Sequence, residues 1–458
     1  MTTPDQVLVV GASAAGLATA EALRRRGYPG GLTLLGDEPH PPYDRPPLSK
    51  QVLAGAWGPE RARLRGDEVL EALGARLVLG DRAVALDLDA RAVTTAGGLV
   101  LRADAIVVAT GVRPRTLPGQ AGPGQDRPGQ DRPGQDRPGQ GWPGQGWPGQ
   151  GQSGQGQPGR DQPGQDQPGR NQPGQGALAG VHVLRTLDDA LALRSDLLRS
   201  HPLRPAPPGG TRLVVVGDGV LGAEVAVTAR VLGLDVTLAG PQSAPLAAQL
   251  GPLVAGLLAD LHAERGVRLR LGSAVLGLES RDGRVTGVRL AGGEVLPADV
   301  VLVALGAVPN TEWLAGSGLT LDNGVVCDAR CRAADGVYAV GDVARWRHER
   351  LDVLLRLENR TNATEQAAVV ADNVLGADRA YAPVPYFWTD QFDARLHVHG
   401  VPTDEAEVLA GDPAARRFVV AHRRGGETIG VLGWNMPKQA RHHRQELLEP
   451  RLLTGGTR

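Results

Sequence analysis

Two glycine-rich loops constrain this chain more than any other feature. Each directly follows a short apolar run and directly precedes an Ala/Leu-rich helical stretch. The first is Gly11-Ala-Ser-Ala-Ala-Gly16 after Val7–Val10; the second is Gly217-Asp-Gly-Val-Leu-Gly222 after Leu213–Val216, about 200 residues further on. In a strand–loop–helix unit of this kind, the first glycine (Gly11, Gly217) permits the tight turn. The last (Gly16, Gly222) lets the helix pack against the strand, and the helix N-terminus turns free amides toward a pyrophosphate. Gly219 holds the middle position of the second loop, whereas Ser13, followed by Ala14 and Ala15, stands there in the first. One such loop alone is a weak signal. Two in the right context predict two dinucleotide sites, and Asp37, past the strand Leu32–Leu35, is placed to accept from a ribose hydroxyl of the first.

The rest of the chain extends the pattern. Helices are expected over Ala14–Arg26 and Leu221–Leu232, and strands over Ile106–Ala109, Val236–Leu238, Val300–Ala304 and Val337–Val340. Such alternation predicts parallel sheets covered by helices. Aromatic residues make up only 3% of the chain, so the core must rest on Val, Leu and Ala. After about Tyr381 the texture becomes aromatic and alternating, as in Tyr386-Phe-Trp-Thr and Gly430-Val-Leu-Gly-Trp, which predicts a separate α+β domain. Pro118 to Gly176 breaks the pattern altogether. Pro-Gly-Gln-Asp-Arg repeats from Pro123 to Arg137 and then decays, with five Asp and five Arg in the whole stretch. Without aliphatic periodicity it cannot offset its ordering entropy, and flexible coil is expected. The reading is a tolerated surface-loop expansion; a partner-binding arm using Trp142 and Trp147 is the alternative.

Net charge is −1, from 49 Lys+Arg against 50 Asp+Glu, which points to neither a nucleic-acid nor an anionic-membrane partner. No apolar run approaches the roughly 20 residues of a membrane span. Val7–Ala20 imitates a signal core but lacks a basic flank and is punctuated by Gly11 and Gly16. Two cysteines, Cys327 and Cys331, fit a reducing compartment, and a cytoplasmic protein is expected. No Cys or His cluster has metal-ligand spacing, so no metal site is expected; His442-His443 reads as a solvated helix face.

Two further strand ends carry chemistry. Ala109-Thr110-Gly111-Val-Arg-Pro114 closes a strand in a turn, and Tyr338-Ala-Val-Gly341-Asp342 ends one in a carboxylate suited to a sugar-alcohol hydroxyl. In this order, with Tyr43-Asp-Arg-Pro-Pro-Leu-Ser-Lys50, Leu184-Arg-Thr-Leu-Asp-Asp189 and Tyr386-Phe-Trp-Thr-Asp-Gln391, the chain resembles the two-dinucleotide flavoproteins. Within them it is most similar to the putidaredoxin, rubredoxin and dioxygenase ferredoxin reductases, over the whole chain except the insert. The resemblance implies two Rossmann-like domains, one for FAD and one for NAD(P), plus the small C-terminal domain. The expected boundaries are 1–117 and 299–375 for the FAD domain, 118–176 for the insert, 177–298 for the NAD(P) domain and 376–458 for the C-terminal domain. It makes FAD the cofactor, NADH or NADPH the cosubstrate and a small iron–sulfur ferredoxin the partner. Carried over by position, Asp37 would bind the FAD ribose, Arg45 and Lys50 would lie along the cofactor with Lys50 near flavin N5, and Ala83 would touch it through its backbone. Arg185 would contact it and Asp342 would hold the ribityl chain. Glu224 would sit near the nicotinamide and pair with Lys50. Disulfide-reducing relatives carry two cysteines just after the first nucleotide unit, but Tyr43 to Gln51 contains none, so electrons are expected to leave directly from the flavin.

Two positions depart from the family. Arg360 stands where relatives place an apolar or aromatic residue, just before a helix expected from Ala363. There it would either favour an anionic reduced flavin or snorkel to solvent. The strand Val236–Ala239 ends in Gly240 where an acid should read the NAD ribose, Ala248 stands where relatives tend to carry Arg, and no charge occurs between Asp235 and Asp260. The expectation is weak binding of both nucleotides with little discrimination, improved for NADH by Gly240→Glu. Gly240 also leaves a second reading open, a flavin-binding redox sensor or scaffold whose nicotinamide turnover has decayed.

Overall fold

Runs such as Val7–Val10 and Leu213–Val216 are apolar at every position, so they are stable only where both faces of a strand are covered. The structure, a computed structural model describing residues 3–117, 178–198 and 210–447, puts both at the centre of parallel sheets. The repeat segment, with Trp142 and Trp147, lies outside the described residues.

In the first sheet β1 (Gln6–Val10) leads through α1 (Ala14–Arg25) to β2 (Gly31–Gly36), then β3 (Arg76–Leu79) and β4 (Ala105–Val108). β1 is flanked in parallel by β2 and β4, with Leu8 opposite Thr33 on one side and Ile106 on the other. In the second sheet β5 (Val181–His182) is the edge, and β6 (Arg212–Val216) leads through α2 (Val220–Val231) to β7 (Asp235–Gly240). Next come α3 (Pro252–Glu264), β8 (Arg268–Leu271) and β9 (Val300–Val303), giving the strand order β8-β7-β6-β9-β5. The chain then returns to the first sheet with β10 (Val337–Ala339), parallel to β4, and α4 (Arg360–Val374).

Two expected boundaries move. Val300–Val303, expected in the FAD domain from residue 299, pairs in parallel with β6, with Val214 opposite Val301. The second domain therefore runs through β9. The chain crosses back where Ala307–Pro309 pairs antiparallel with Val112–Pro114, the outbound strand. The helix expected from Ala363 begins at Arg360, because the Asn359 side chain accepts from the Asn362 amide and caps it three residues earlier.

The C-terminal domain is an antiparallel sheet of β11 (Tyr386–Gln391), β12 (Ala394–Gly400), β13 (Ala406–Asp412), β14 (Arg417–Arg424) and β15 (Glu427–Trp434), with α5 (Pro437–His443) against it. Leu396, Phe418 and Trp434 pack on Val254, Leu258 and Leu261 of α3, so this sheet shares a core with the nucleotide domain.

That domain buries histidines. His399 is 5% exposed and stacks on Tyr386 at 4.7 Å between ring centroids. Burial first, then Arg444, His397 and Arg441, pushes its pKa down from 6.5 to about 4. The unfolded chain thus binds a proton at a higher pH than the folded one. The stability from the neutral ring is fully present above pH 6.5 and is lost as pH falls toward 4, by up to about 3 kcal/mol. His399→Phe should keep the stack and remove that share. Unfolding free energies measured at pH 7 and pH 4.5 should fall less in the variant than in the parent; an identical fall would show that His399 does not titrate this way.

Candidate functional site

Each glycine loop is shaped by contacts that admit no side chain. Gly11 has φ +124° and Gly217 φ +121°; a Cβ there would lie 2.1 Å from the Ala109 carbonyl oxygen and 2.2 Å from that of Ala304. A Cβ on Gly16 or Gly222 would lie 1.9 Å from the carbonyl oxygen of Gly11 or Gly217. The two loops are near copies. A Cβ on Gly219, by contrast, would meet nothing within 4 Å, so the protein itself does not require that glycine. The open space suits a pyrophosphate lying against the backbone. Neither α1 nor α2 has a side-chain cap at its N-terminus or an acid in its first turn, which leaves the first amides for an anion.

Around the first loop, Gly341 has φ +76°, and a Cβ there would press within 2.9 Å of the Ala15 Cβ. Gly341 begins the turn after β10, and Asp342 follows with Oδ2 3.4 Å from Arg185 Nη2. Arg45 donates to the Arg185 carbonyl (2.6 Å) and to Glu38 Oε1 (2.7 Å), while Tyr43 Oη bonds Glu38 as well. Burial first, then the neighbouring Arg45, lowers the Arg185 pKa. Arg185 Nη2 lies 3.0 Å from the position of a Cβ on Gly111, and a guanidinium whose charge burial disfavours is one that an anion would relieve, which fits the diphosphate of FAD. Ala109, Thr110 and Gly111 line the turn, with Thr110 Oγ1 donating to the Asn310 carbonyl (2.9 Å), and Ala83 is buried at the head of its strand. Asp37 is exposed beyond β2.

Lys50 and Glu224 come together as a largely buried pair. Lys50 Nζ lies 2.5 Å from Glu224 Oε2, with side chains 15% and 7% exposed. The contact crosses domains: Tyr43, Leu48, Val52 and Leu53 pack with Val215 and Val225 in one core, setting the Lys50 loop on α2. Glu224 also accepts from Ser49 Oγ (2.7 Å) and from Thr389 Oγ1 of the C-terminal sheet (2.9 Å). Gln391 Nε2 donates in turn to Thr389, and His262 of α3 bonds Gln391. Lys50 Nζ stands 5.3 Å from the Trp388 ring centroid. Ser49 and Thr389 lay inside the quoted motifs, but spacing alone gave no reason to aim their hydroxyls at residue 224.

Arg360 is not a bare cation, and its side chain is still 28% exposed. Its Nε lies 2.7 Å from Asp44 Oδ1, in the loop that carries Lys50. A paired charge weakens the argument for an anionic flavin. Cys327 and Cys331 are buried and free; burial raises both pKa values, that of Cys331 to about 12, and Gln366 donates to the Cys331 sulfur. Neither is a poised thiolate. Among the described residues no group of three or more His, Cys, Asp or Glu could hold a metal, and no helix is long and apolar enough to cross a membrane.

Gly240 corrects the sequence expectation. A Cβ there would lie 2.1 Å from Asp218 Oδ2 and 2.4 Å from its Cγ, so the tip of β7 is occupied by a carboxylate from the second glycine loop. Gly240→Glu alone would drive a side chain into Asp218 and should not improve NADH use.

The comparisons agree with this architecture. The pyridine nucleotide-disulphide oxidoreductase model matches residues 5–132 and 164–367, and the reductase C-terminal model matches 386–451. The chain is 31% identical to rhodocoxin reductase of Rhodococcus erythropolis, over 94% of this chain and 87% of the relative. It is 30% identical to putidaredoxin reductase of Pseudomonas putida, over 99% and 95%. The covalent putidaredoxin reductase–putidaredoxin complex superposes with a TM-score of 0.79 at 30% identity, covering 97% of this chain and 93% of that one. This chain belongs to the pyridine nucleotide-disulphide oxidoreductase family, in the form that carries the C-terminal reductase domain.

Proposed function

We propose that this chain is an FAD-dependent reductase that takes hydride from NAD(P)H and passes electrons singly to a small iron–sulfur ferredoxin serving an oxygenase or a cytochrome P450. The buried Lys50–Glu224 pair carries the reading. It joins the flavin-side loop to the nucleotide domain, and a structural role alone gives little reason to bury two charges there. The relatives support the electron acceptor by their names, rhodocoxin and putidaredoxin reductase.

Bound FAD supplies the exchange between two-electron and one-electron chemistry; the protein's task is to hold and orient. We assign Gly11 to Gly16 and the α1 amides to the FAD pyrophosphate, with Arg45 and Arg185 adding positive charge. Asp342 is assigned to the ribityl chain, Asp37 to the adenosine ribose, and Ala83 and Ala109 to Gly111 to the walls. Gly217, Gly219 and Gly222 are assigned to the nicotinamide nucleotide. Lys50, fixed by Glu224, would hold its ammonium at the flavin edge. Arg360, tied to Asp44, would steady the same loop. The free thiols and the absence of a membrane-spanning helix among the described residues support a cytoplasmic setting.

The alternative reading, a redox sensor with decayed nicotinamide turnover, drew on the missing acid at Gly240. The Asp218 carboxylate at that place removes its main support. The test of function is NADH-driven reduction of a panel of oxidised ferredoxins. Replacing Cys327 by Ala and Cys331 by Ser together should leave this rate within about twofold, because both thiols are buried and protonated. Loss of ferredoxin reduction with flavin still bound would mean that a thiol relay operates.

A further inference from the structure

We propose that Asp218, in the second glycine loop, is the residue that reads the adenosine ribose of the nicotinamide nucleotide and makes the enzyme selective for NADH. The inference rests on the nicotinamide-dependent reading above. A sheet of this kind binds its nucleotide at the carboxyl ends of the strands, and the acid that accepts from the ribose hydroxyls ordinarily projects from the strand after the glycine loop. Here that strand, β7, ends in Gly240. The place where an acid's side chain would leave the strand is filled by Asp218, whose Oδ2 lies 2.1 Å from the position of a Cβ on Gly240. The two departures from the usual pattern thus explain one another. An acid has moved from the strand end into the loop, and only glycine at 240 makes room for it.

The carboxylate is held ready. Asp218 is 5% exposed. Its Oδ2 accepts from the Gln242 amide (2.8 Å) and its Oδ1 from Gln242 Nε2 (2.7 Å). Gln242 is itself fixed, since its Oε1 accepts from the Ala248 amide (2.8 Å), and the Asp218 carbonyl accepts from the Leu246 amide (2.9 Å). A carboxylate offers about four lone-pair positions. Gln242 takes two, and the remainder suit a pair of ribose hydroxyls. Gly219, next in the chain, leaves open space beside it.

The same charge excludes a 2′-phosphate. No Lys or Arg lies between Asp235 and Asp260 to receive one. The two arginines of the neighbouring strand β8 are paired: Arg268 with Asp235 (2.6 Å) and Arg270 with Glu294 (3.0 Å). A phosphate dianion brought against a buried carboxylate meets like charge without a counter-ion.

The test uses the flavin-loaded enzyme and two ligands that cannot transfer hydride, ADP-ribose and its 2′-phosphorylated form, with binding followed by calorimetry. The parent should bind ADP-ribose roughly a hundredfold more tightly than the 2′-phosphate form, an estimate for like-charge exclusion. D218N should weaken ADP-ribose by about tenfold and shrink the preference to within about tenfold, since one charge-assisted acceptor and the repulsion are both lost. The double variant D218G/G240E returns the acid to the strand and should restore the preference, a recovery that a merely structural Asp218 would not give. Equal binding of the two ligands by the parent, or undiminished discrimination in D218N, would overturn the proposal. If NADH still bleaches the flavin in either case, the reader lies elsewhere but the reductase reading stands. If neither ligand binds and NADH leaves the flavin oxidised, the reductase reading fails with it.

Discussion

Glu224→Ala should be the most damaging single substitution outside the glycine loops. Glu224 is the meeting point of three elements: Lys50 and Ser49 from the flavin-side loop, α2 from the nucleotide domain, and Thr389 from the C-terminal sheet. Removing the carboxylate leaves the Lys50 ammonium largely buried without its counter-charge and two hydroxyls without their acceptor. Breaking a buried pair in this way costs about 3–5 kcal/mol. The stability loss should appear in chemical unfolding of the holoenzyme. If the ammonium is held for hydride transfer, single-turnover flavin reduction should also fall by roughly a hundredfold or more, since misplacement by about 1 Å has that effect. Glu224→Gln separates the two roles. It keeps one acceptor oxygen and so should recover part of the stability, but it cannot balance the Lys50 charge and should recover little of the rate. Equal recovery of both would make the pair structural only.

Gly16→Val and Gly222→Val should disable the two nucleotide sites independently. In each case the new Cβ would fall 1.9 Å from a carbonyl oxygen of its own loop, too close for any local adjustment, so the strand and helix must part. Overpacking a tight site costs about 1–3 kcal/mol, and more where backbone rather than a side chain must yield. Gly16→Val should yield protein without flavin. Gly222→Val should keep its flavin spectrum, since its loop lies in the other sheet, while losing reduction by NADH by at least about a thousandfold. A dithionite titration checks that the flavin in the second variant still accepts electrons. Flavin lost from Gly222→Val and kept in Gly16→Val would reverse the assignment of the two domains.

What could be read from the sequence was whatever depends on local chain geometry. Val7–Val10 and Leu213–Val216 are apolar throughout, and the glycines after them allow one kind of turn, so both nucleotide units were legible. The boundary at 299 was not, because Val300–Val303 has the composition of a central strand in either sheet and only pairing with Val214 decides between them. The start of α4 was misplaced because the Asn359 cap depends on a side-chain rotamer rather than on periodicity. Lys50 and Glu224 were singled out only through resemblance. Their 173 intervening residues hide a contact made by the packing of Leu48 and Val52 on α2. Asp218 shows the limit most clearly. The acid lies inside the glycine loop, 22 residues before the strand tip it fills, so neither strand composition nor spacing marks it. That a strand tip and a loop share one volume becomes visible only in three dimensions.

On the proposed reading, hydride enters this flavin from a nicotinamide and its electrons leave singly, without a thiol. Anaerobic rapid mixing of the flavin-loaded enzyme with NADH, followed by an oxidised iron–sulfur ferredoxin, tests it in one sequence. The flavin absorbance should bleach fast and then return as the ferredoxin is reduced, unchanged when Cys327 and Cys331 are replaced. A flavin that stays oxidised in excess NADH while dithionite reduces it would mean that no hydride passes from the nicotinamide to this flavin.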